Sequence, residues 1–312
     1  MSLLGDEAVI ATNDDATQCK KSAVDLGYWV DPFLGFLVKH TSRKLPEINR
    51  GYYARVAGIE TLIKKFIDKF NGKCQLVNIG AGFDTLYWRL QASGHKVDNY
   101  VEVDLPTVTG RKVSLLKKVK ELHHAEFVTP GSIACDMHVK DFHIIGTDIR
   151  KVHDVQIKME ACNIDTSIPT LFNAECVLVY LSTKDSTEFL KWIASTFKCA
   201  YFINYEQVNL SDTFGEMMIK NLHDRGCALA GADACMSLDA QKQRFLKSGW
   251  DGAEGWDMQT VYANLLPKKE IDRIEKIEFL DEKELLVQLL THYCITVAWL
   301  DKLNVGVSCI RF

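Results

Sequence analysis

No two of the ten cysteines stand in C-x-x-C spacing. Zinc ribbons, redox dithiols and iron–sulfur sites need such pairs, so the sequence offers none of these. Basic charge is not in excess either: 37 Lys and Arg face 41 Asp and Glu, a net charge of -4. That balance argues against a general nucleic-acid binder. No apolar run approaches the ~20 residues of a membrane span, and there is no repeat or low-complexity tract. Met1 to Lys20 is polar and acidic, without the apolar stretch of a signal peptide. The expectation is a reduced, cytoplasmic, monomeric protein with no membrane or nucleic-acid partner.

What is present is a globular composition, 47% apolar over 312 residues, enough for one large domain. Residues 1–16 read as a loose tail and 17–312 as a single domain. Within it, 17–71 reads as a helical lid, with Thr17 capping a short helix and Asp31-Pro32 opening another. A long helix follows from Pro46 to Phe70, with Tyr52, Val56, Ile59, Ile63, Phe66 and Phe70 on one face. Residues 72–207 alternate short strands with helices, the sign of βαβ units on a parallel sheet. The expected strands are Leu76 to Ile79, Asn99 to Val103, Phe142 to Ile145, Pro169 to Ala174 and Ala200 to Ile203. Ser182-Thr183-Lys184-Asp185 has capping-box character. Residues 208–249 break the rhythm as an insertion above the strand ends. Residues 250–312 carry the last helices and strands, ending in Tyr293 to Leu300.

Open parallel sheets bind ligands at the carboxyl ends of their strands. Gly80-Ala81-Gly82 follows the first strand, where glycine lets backbone approach a ligand. Asp104 ends the second strand, 22 residues beyond Gly82, and suits ribose hydroxyls. Asp148 ends the third and suits an adenine amino group. Glu175 ends the fourth. The dinucleotide fingerprint needs a third glycine where Thr85 stands, so NAD and FAD are disfavoured. The P-loop pattern is absent. G-x-G with a ribose acid and an adenine acid suits S-adenosylmethionine, which has no phosphate to cradle.

Four segments make the chain recognisable: Gly51-Tyr52-Tyr53-Ala54-Arg55, Val77 to Thr85, Ala174 to Tyr180 and Phe202 to Gln207. They closely resemble the leucine carboxyl methyltransferases, over about Asp15 to Leu300. The resemblance implies a Rossmann-like class I methyltransferase fold: a mostly parallel seven-stranded sheet, last strand antiparallel, helices on both faces and a helical lid. It implies methylation of the C-terminal leucine carboxylate of the protein phosphatase 2A catalytic subunit, the expected partner. Residue by residue, Lys20 and Arg55 match basic contacts to the cofactor's carboxylate or the substrate end, and Gly80 lines its methionine part. Asp104 matches the ribose contact, Asp148 with Ile149 the adenine contacts, and Glu175 the ammonium contact. Tyr180 faces the acceptor carboxylate together with Arg55. No metal is implied. Ile79 and Phe83 replace similar apolar residues, and 208–249 matches less closely.

Other readings compete. Arg50 rivals Arg55 by composition, and Arg55 could lie on the surface. Glu175 could be a buried ion-pair partner: it ends an apolar strand, where an unpaired charge is costly, so a cationic partner is expected. Tyr180 could simply pack. Cys176 has no neighbouring base to make it a nucleophile. His123 and His124 lack a third metal ligand. Arg111-Lys112, Lys117-Lys118 and Lys120 read as a solvated basic face, and His292 as a structural hydrogen-bonder. A tRNA wybutosine-type methyltransferase paralogue, a non-catalytic phosphatase scaffold and a nicotinamide oxidoreductase are the alternative functions.

Overall fold

The computed structural model describes residues 3–39, 41–119, 122 and 135–312. The helices are α1 (Leu3–Asp25), α2 (Leu34–Leu37), α3 (Pro46–Lys69), α4 (Leu86–Ala92), α5 (Pro106–Leu116), α6 (Val152–Ala161), α7 (Thr183–Thr196), α8 (Thr213–Asp224) and α9 (Leu238–Leu246). Three more follow: α10 (Met258–Thr260), which runs on as a π-helical turn to Leu265, α11 (Lys268–Ile274) and α12 (Lys283–Thr291). The strands are β1 (Gln75–Ile79), β2 (Asn99–Asp104), β3 (Met137–Val139), β4 (Phe142–Gly146), β5 (Thr170–Glu175), β6 (Cys199–Gln207), β7 (Gly252–Asp257) and β8 (Tyr293–Asp301).

These strands form one sheet in the order β3-β4-β2-β1-β5-β6-β8-β7. The five central neighbours β4, β2, β1, β5 and β6 are parallel, and β8 runs antiparallel to both β6 and β7. Strand order reverses at β1, where β2 lies on one side and β5 on the other, so a ligand crevice opens beyond their carboxyl ends. The class I methyltransferase fold expected from the sequence is present, with one strand more than the seven anticipated. That extra strand, β3, pairs with β4 as a short antiparallel hairpin.

Side chains alternate between two buried layers, as the pleat requires. Leu76, Tyr100, Leu171 and Tyr201 face the layer containing Ile59, Ile63 and Phe66 of α3. Val77, Val101, Phe172 and Phe202 face the opposite layer, with Phe189 and Ile193 of α7 and Phe245 of α9. Phe66 stacks on Tyr201 with ring centroids 5.9 Å apart. Thus α3 is not only part of a lid; its apolar face is core.

Two expectations change. Residues expected as a loose tail form the first turns of α1, which extends unbroken through Thr17; the Thr17 hydroxyl donates back to Asn13 O at 2.7 Å. The insertion also divides: α8 lies beside the crevice, whereas α9 packs on the sheet through Phe245. Other local readings hold. Asp31 Oδ1 accepts the Phe33 and Leu34 amides, both at 3.1 Å, before α2. Ser182 Oγ accepts the Asp185 amide at 3.1 Å and donates to its carboxylate at 2.7 Å. No helix among the described residues is long and apolar enough to cross a membrane.

Candidate active site

A cavity of about 630 Å³ opens above the carboxyl ends of β1, β2, β4 and β5. Lys20, Arg55, Gly80, Asp104, Asp148, Ile149, Glu175 and Tyr180 all line it. The sequence-selected residues, spread over seven elements and loops, therefore share one enclosure. Its size lies within the ~300–1,000 Å³ of small-molecule sites.

Gly80 and Gly82 both have left-handed backbones, φ +62° and +50°. A Cβ on Gly80 would meet Val177 Cγ2 at 2.3 Å, and one on Gly82 would meet Asn13 Oδ1 at 2.2 Å. Loop amides are consumed internally. The Gly80 N–H donates to Val103 O at 2.7 Å, Gly82 N–H to Asp104 Oδ2 at 2.7 Å, and Phe83 N–H to Asn13 Oδ1 at 2.8 Å. The Asp84 and Thr85 amides donate to Ala81 O and Asp84 Oδ1. A phosphate-binding loop instead aims its amides outward. This loop suits a nucleoside ligand without phosphates.

Asp104 also accepts the Leu105 amide at 2.7 Å. Burial raises its carboxyl, and the two amides oppose that rise. Asp148 is bound by Arg150, whose Nε stands 2.8 Å from Oδ2.

At the other end, Arg55 Nε donates to Glu175 Oε2 at 2.6 Å, and Lys20 Nζ lies 3.6 Å from the same oxygen. This supplies the cationic partner that Glu175 required. Burial alone would raise the Glu175 carboxyl, but Lys20 and Arg55 outweigh it and hold it at about 2. The Arg55 guanidinium lies 4.6 Å from the Tyr205 ring centroid and 5.5 Å from that of Tyr52. Asn78 and Asn173 face each other in the β1–β5 register. Asn173 Nδ2 donates to Asn78 Oδ1 at 3.0 Å and reaches Glu175 Oε1 at 3.4 Å, while Asn78 Nδ2 donates to Asp84 Oδ2 at 3.1 Å. Lys20 lies 3.6 Å from Asp84 as well.

Tyr180 ends a short 3-10 turn, Leu178–Tyr180, and faces Thr12 of α1 and Cys227; burial pushes its phenol well above the ordinary value. The turn is fixed from below. Glu206, fully buried on β6, accepts the Val179 amide at 2.6 Å and is ion-paired with Arg244 of α9. Arg244 donates to Gly231 O at 3.3 Å, and the Gly231 amide returns to Val179 O at 2.8 Å.

Helix α1 roofs the cavity with Ile10, Asn13, Ala16 and Lys20. Besides the Lys20 pairs, it is held by Asp6–Arg150 at 3.1 Å, Asp14–Arg111 at 2.9 Å, and Asp15–Arg225.

The competing readings resolve. Arg50 points away and donates to Glu278 O at 2.8 Å. Cys176 lines the cavity, but burial pushes its thiol up to about 12, which disfavours the nucleophilic thiolate. His292 bridges Gln288 O and Asp212, the N-cap of α8, at 2.7 and 2.9 Å. The basic run is not one solvated face: Lys112 is buried and paired with Glu102 at 2.6 Å, and Arg111 holds α1. Lys120, His123 and His124 lie outside the described residues. Sequence reasoning gave no role to Asn13, Tyr205, Glu206 or Arg244. Glu206 had a signal, as a carboxylate within an apolar strand.

Sheet order, crevice and glycine loop define a class I methyltransferase, and the cavity's donor set fits S-adenosylmethionine. A putative methyltransferase structure from Thermobifida fusca shares the fold: TM-score 0.51, 14% identity, 86% of this chain and 92% of that one covered. The family model for leucine carboxyl methyltransferase matches residues 8–194, and the chain belongs to that family. Rat leucine carboxyl methyltransferase 1 is 45% identical, with 93% of this chain and 89% of the relative covered. Human tRNA wybutosine-synthesizing protein 4 is 34% identical, with 93% of this chain but 44% of that protein covered.

Proposed function

We propose that this protein transfers a methyl group from S-adenosylmethionine to the α-carboxylate of the C-terminal leucine of the protein phosphatase 2A catalytic subunit. The observation that carries the reading is Arg55 and Tyr180 lining the same cavity as the glycine loop, Asp104 and Glu175. The higher identity to leucine carboxyl methyltransferase 1 than to the wybutosine protein supports a protein acceptor.

Bound there, the cofactor supplies an activated methyl on a sulfonium. Asp104 receives ribose hydroxyls, Asp148 and Ile149 the adenine, and Glu175 the ammonium. Lys20 and Arg55 supply positive charge for carboxylates. A terminal carboxylate, pKa ~3.3–3.7, is already ionised, so the site needs no general base; no histidine stands among the described cavity-lining residues. Arg55 and Tyr180 orient the nucleophilic oxygen and exclude water from it. Going from anion and sulfonium to neutral ester and thioether would lose charge, which the aromatic surround of buried Tyr205 and half-buried Tyr52 and Tyr293 favours.

The test is tritium transfer from labelled S-adenosylmethionine to assembled phosphatase and to a form lacking its terminal leucine. Base-labile label on the intact form only is expected. Saturable cofactor binding with no label would redirect the reading to another acceptor such as tRNA. No cofactor binding would leave only a scaffold.

A further inference from the structure

Away from the cavity, one set of soft and imidazole ligands converges among the described residues: His138, His143 and Cys162. The two histidines are directly opposed across the β3–β4 hairpin, with Nδ1 atoms 2.9 Å apart. Cys162 caps the end of α6, with Sγ 3.8 Å from His138 Nδ1, and all three ligand atoms lie within 4.8 Å of one another. We infer that His138, His143 and Cys162 form a binding site for one borderline-soft divalent cation, zinc being the best match.

The spacing is that of a nearly closed coordination shell. Ligand bonds of ~2.0–2.1 Å to nitrogen and ~2.3 Å to sulfur place tetrahedral ligand atoms ~3.3–3.7 Å apart. The sulfur–nitrogen gap of 3.8 Å is slightly long for this and must close a little, and the imidazoles, now in hydrogen-bond contact at 2.9 Å, need to part by a few tenths of an ångström. Two imidazoles and a thiol select zinc over magnesium or calcium, which take oxygen ligands. Cys162 is fully buried and His143 nearly so, whereas His138 is half-buried, leaving an open side for water as fourth ligand. Backbone support is in place: Asn99 Nδ2 donates to Cys162 O at 2.7 Å. Metal binding would expel the thiol proton to solvent, because coordination takes the thiolate. A bound ion would tie the hairpin at the sheet edge to α6.

The experiment titrates the chelator-stripped full chain with cobalt(II) alone as a spectroscopic probe. One equivalent should give thiolate-to-cobalt charge-transfer absorption, which zinc(II) then displaces. The band should vanish in Cys162→Ser, and His138→Gln should weaken binding about tenfold or more. Zinc should raise the melting temperature of the wild type but not of Cys162→Ser. His138→Gln, at a half-buried position, keeps the test decisive if Cys162→Ser does not fold. No stoichiometric band, or one that persists in both variants, would overturn the assignment.

Discussion

Arg55 Nε stands 2.6 Å from Glu175 Oε2, and each side chain is only about one-tenth exposed, at 10% and 11%. Removing Glu175 would leave Arg55 without its charged partner, whereas Glu175 would keep Lys20 at 3.6 Å if Arg55 were lost. Arg55→Ala should lower turnover by at least ~100-fold, as expected for losing a charge-assisted orientation. Asp104→Ala should instead raise the cofactor Kd ~10–100-fold with turnover at saturating cofactor little changed. Steady-state kinetics with calorimetry separates the two. Normal turnover by Arg55→Ala would refute its role with the carboxylate.

Acid should expose the same pair. Glu175 is held at about 2, below the 4.5 of a free glutamate. Its contribution to stability is therefore complete above 4.5 and disappears as pH falls toward 2. Glu175→Gln should unfold with a shallower dependence on pH across that window. It should also bind cofactor ~10-fold or more weakly, through loss of the ammonium partner. Thermal melts from pH 2 to 7 and calorimetry at neutral pH read the two effects.

Gly80→Ala should cost about 1–2 kcal/mol for the left-handed backbone alone, with a further loss from the Val177 contact. Adding Val177→Ala should recover the contact and not the backbone cost. Urea denaturation of the two variants resolves the parts; full recovery would show that φ was not the constraint.

Glu206 lies beneath Tyr180 rather than in the cavity. Glu206→Gln leaves Arg244 without its charged partner and should destabilise the fold by about 3–5 kcal/mol. In the population that remains folded, kcat should fall while the cofactor Kd holds. An unchanged kcat would mean that the Val179–Tyr180 turn keeps its place without the ion pair.

Roofing by α1 depends on ion pairs that are partly exposed, each worth ~0.2–1 kcal/mol. Arg111→Ala with Arg225→Ala should speed cofactor release about two- to tenfold, and high salt should do the same to the wild type. Stopped-flow displacement measures it. Salt-independent release would show that the Asn13 contact, not charge, keeps the roof down.

The site was readable in the sequence wherever it follows from the sheet. Gly80, Asp104, Asp148 and Glu175 stand at or just beyond successive strand ends, so topology alone assembles them. The first half of α1 was not readable, because it has no apolar stripe and its anchors, Arg111, Arg150 and Arg225, belong to distant elements. Lys112 misled because a run of like charges resembles a solvated face, and its partner Glu102 is hidden on β2. Strand β3, three residues long, is too short for any alternation to register. The Glu206–Arg244 pair joins a strand to a helix 38 residues away, which no local spacing encodes.

The asparagine bridge from Asp84 through Asn78 and Asn173 to Glu175 has one more implication. Its dipoles are aligned by neighbouring strands before any ligand arrives. Reorganisation that a flexible receptor undergoes during association has here been completed during folding. If the zwitterionic end of the cofactor binds here as proposed, it meets a preset electrostatic mould, and its capture should leave the rotamers of these four side chains as they are.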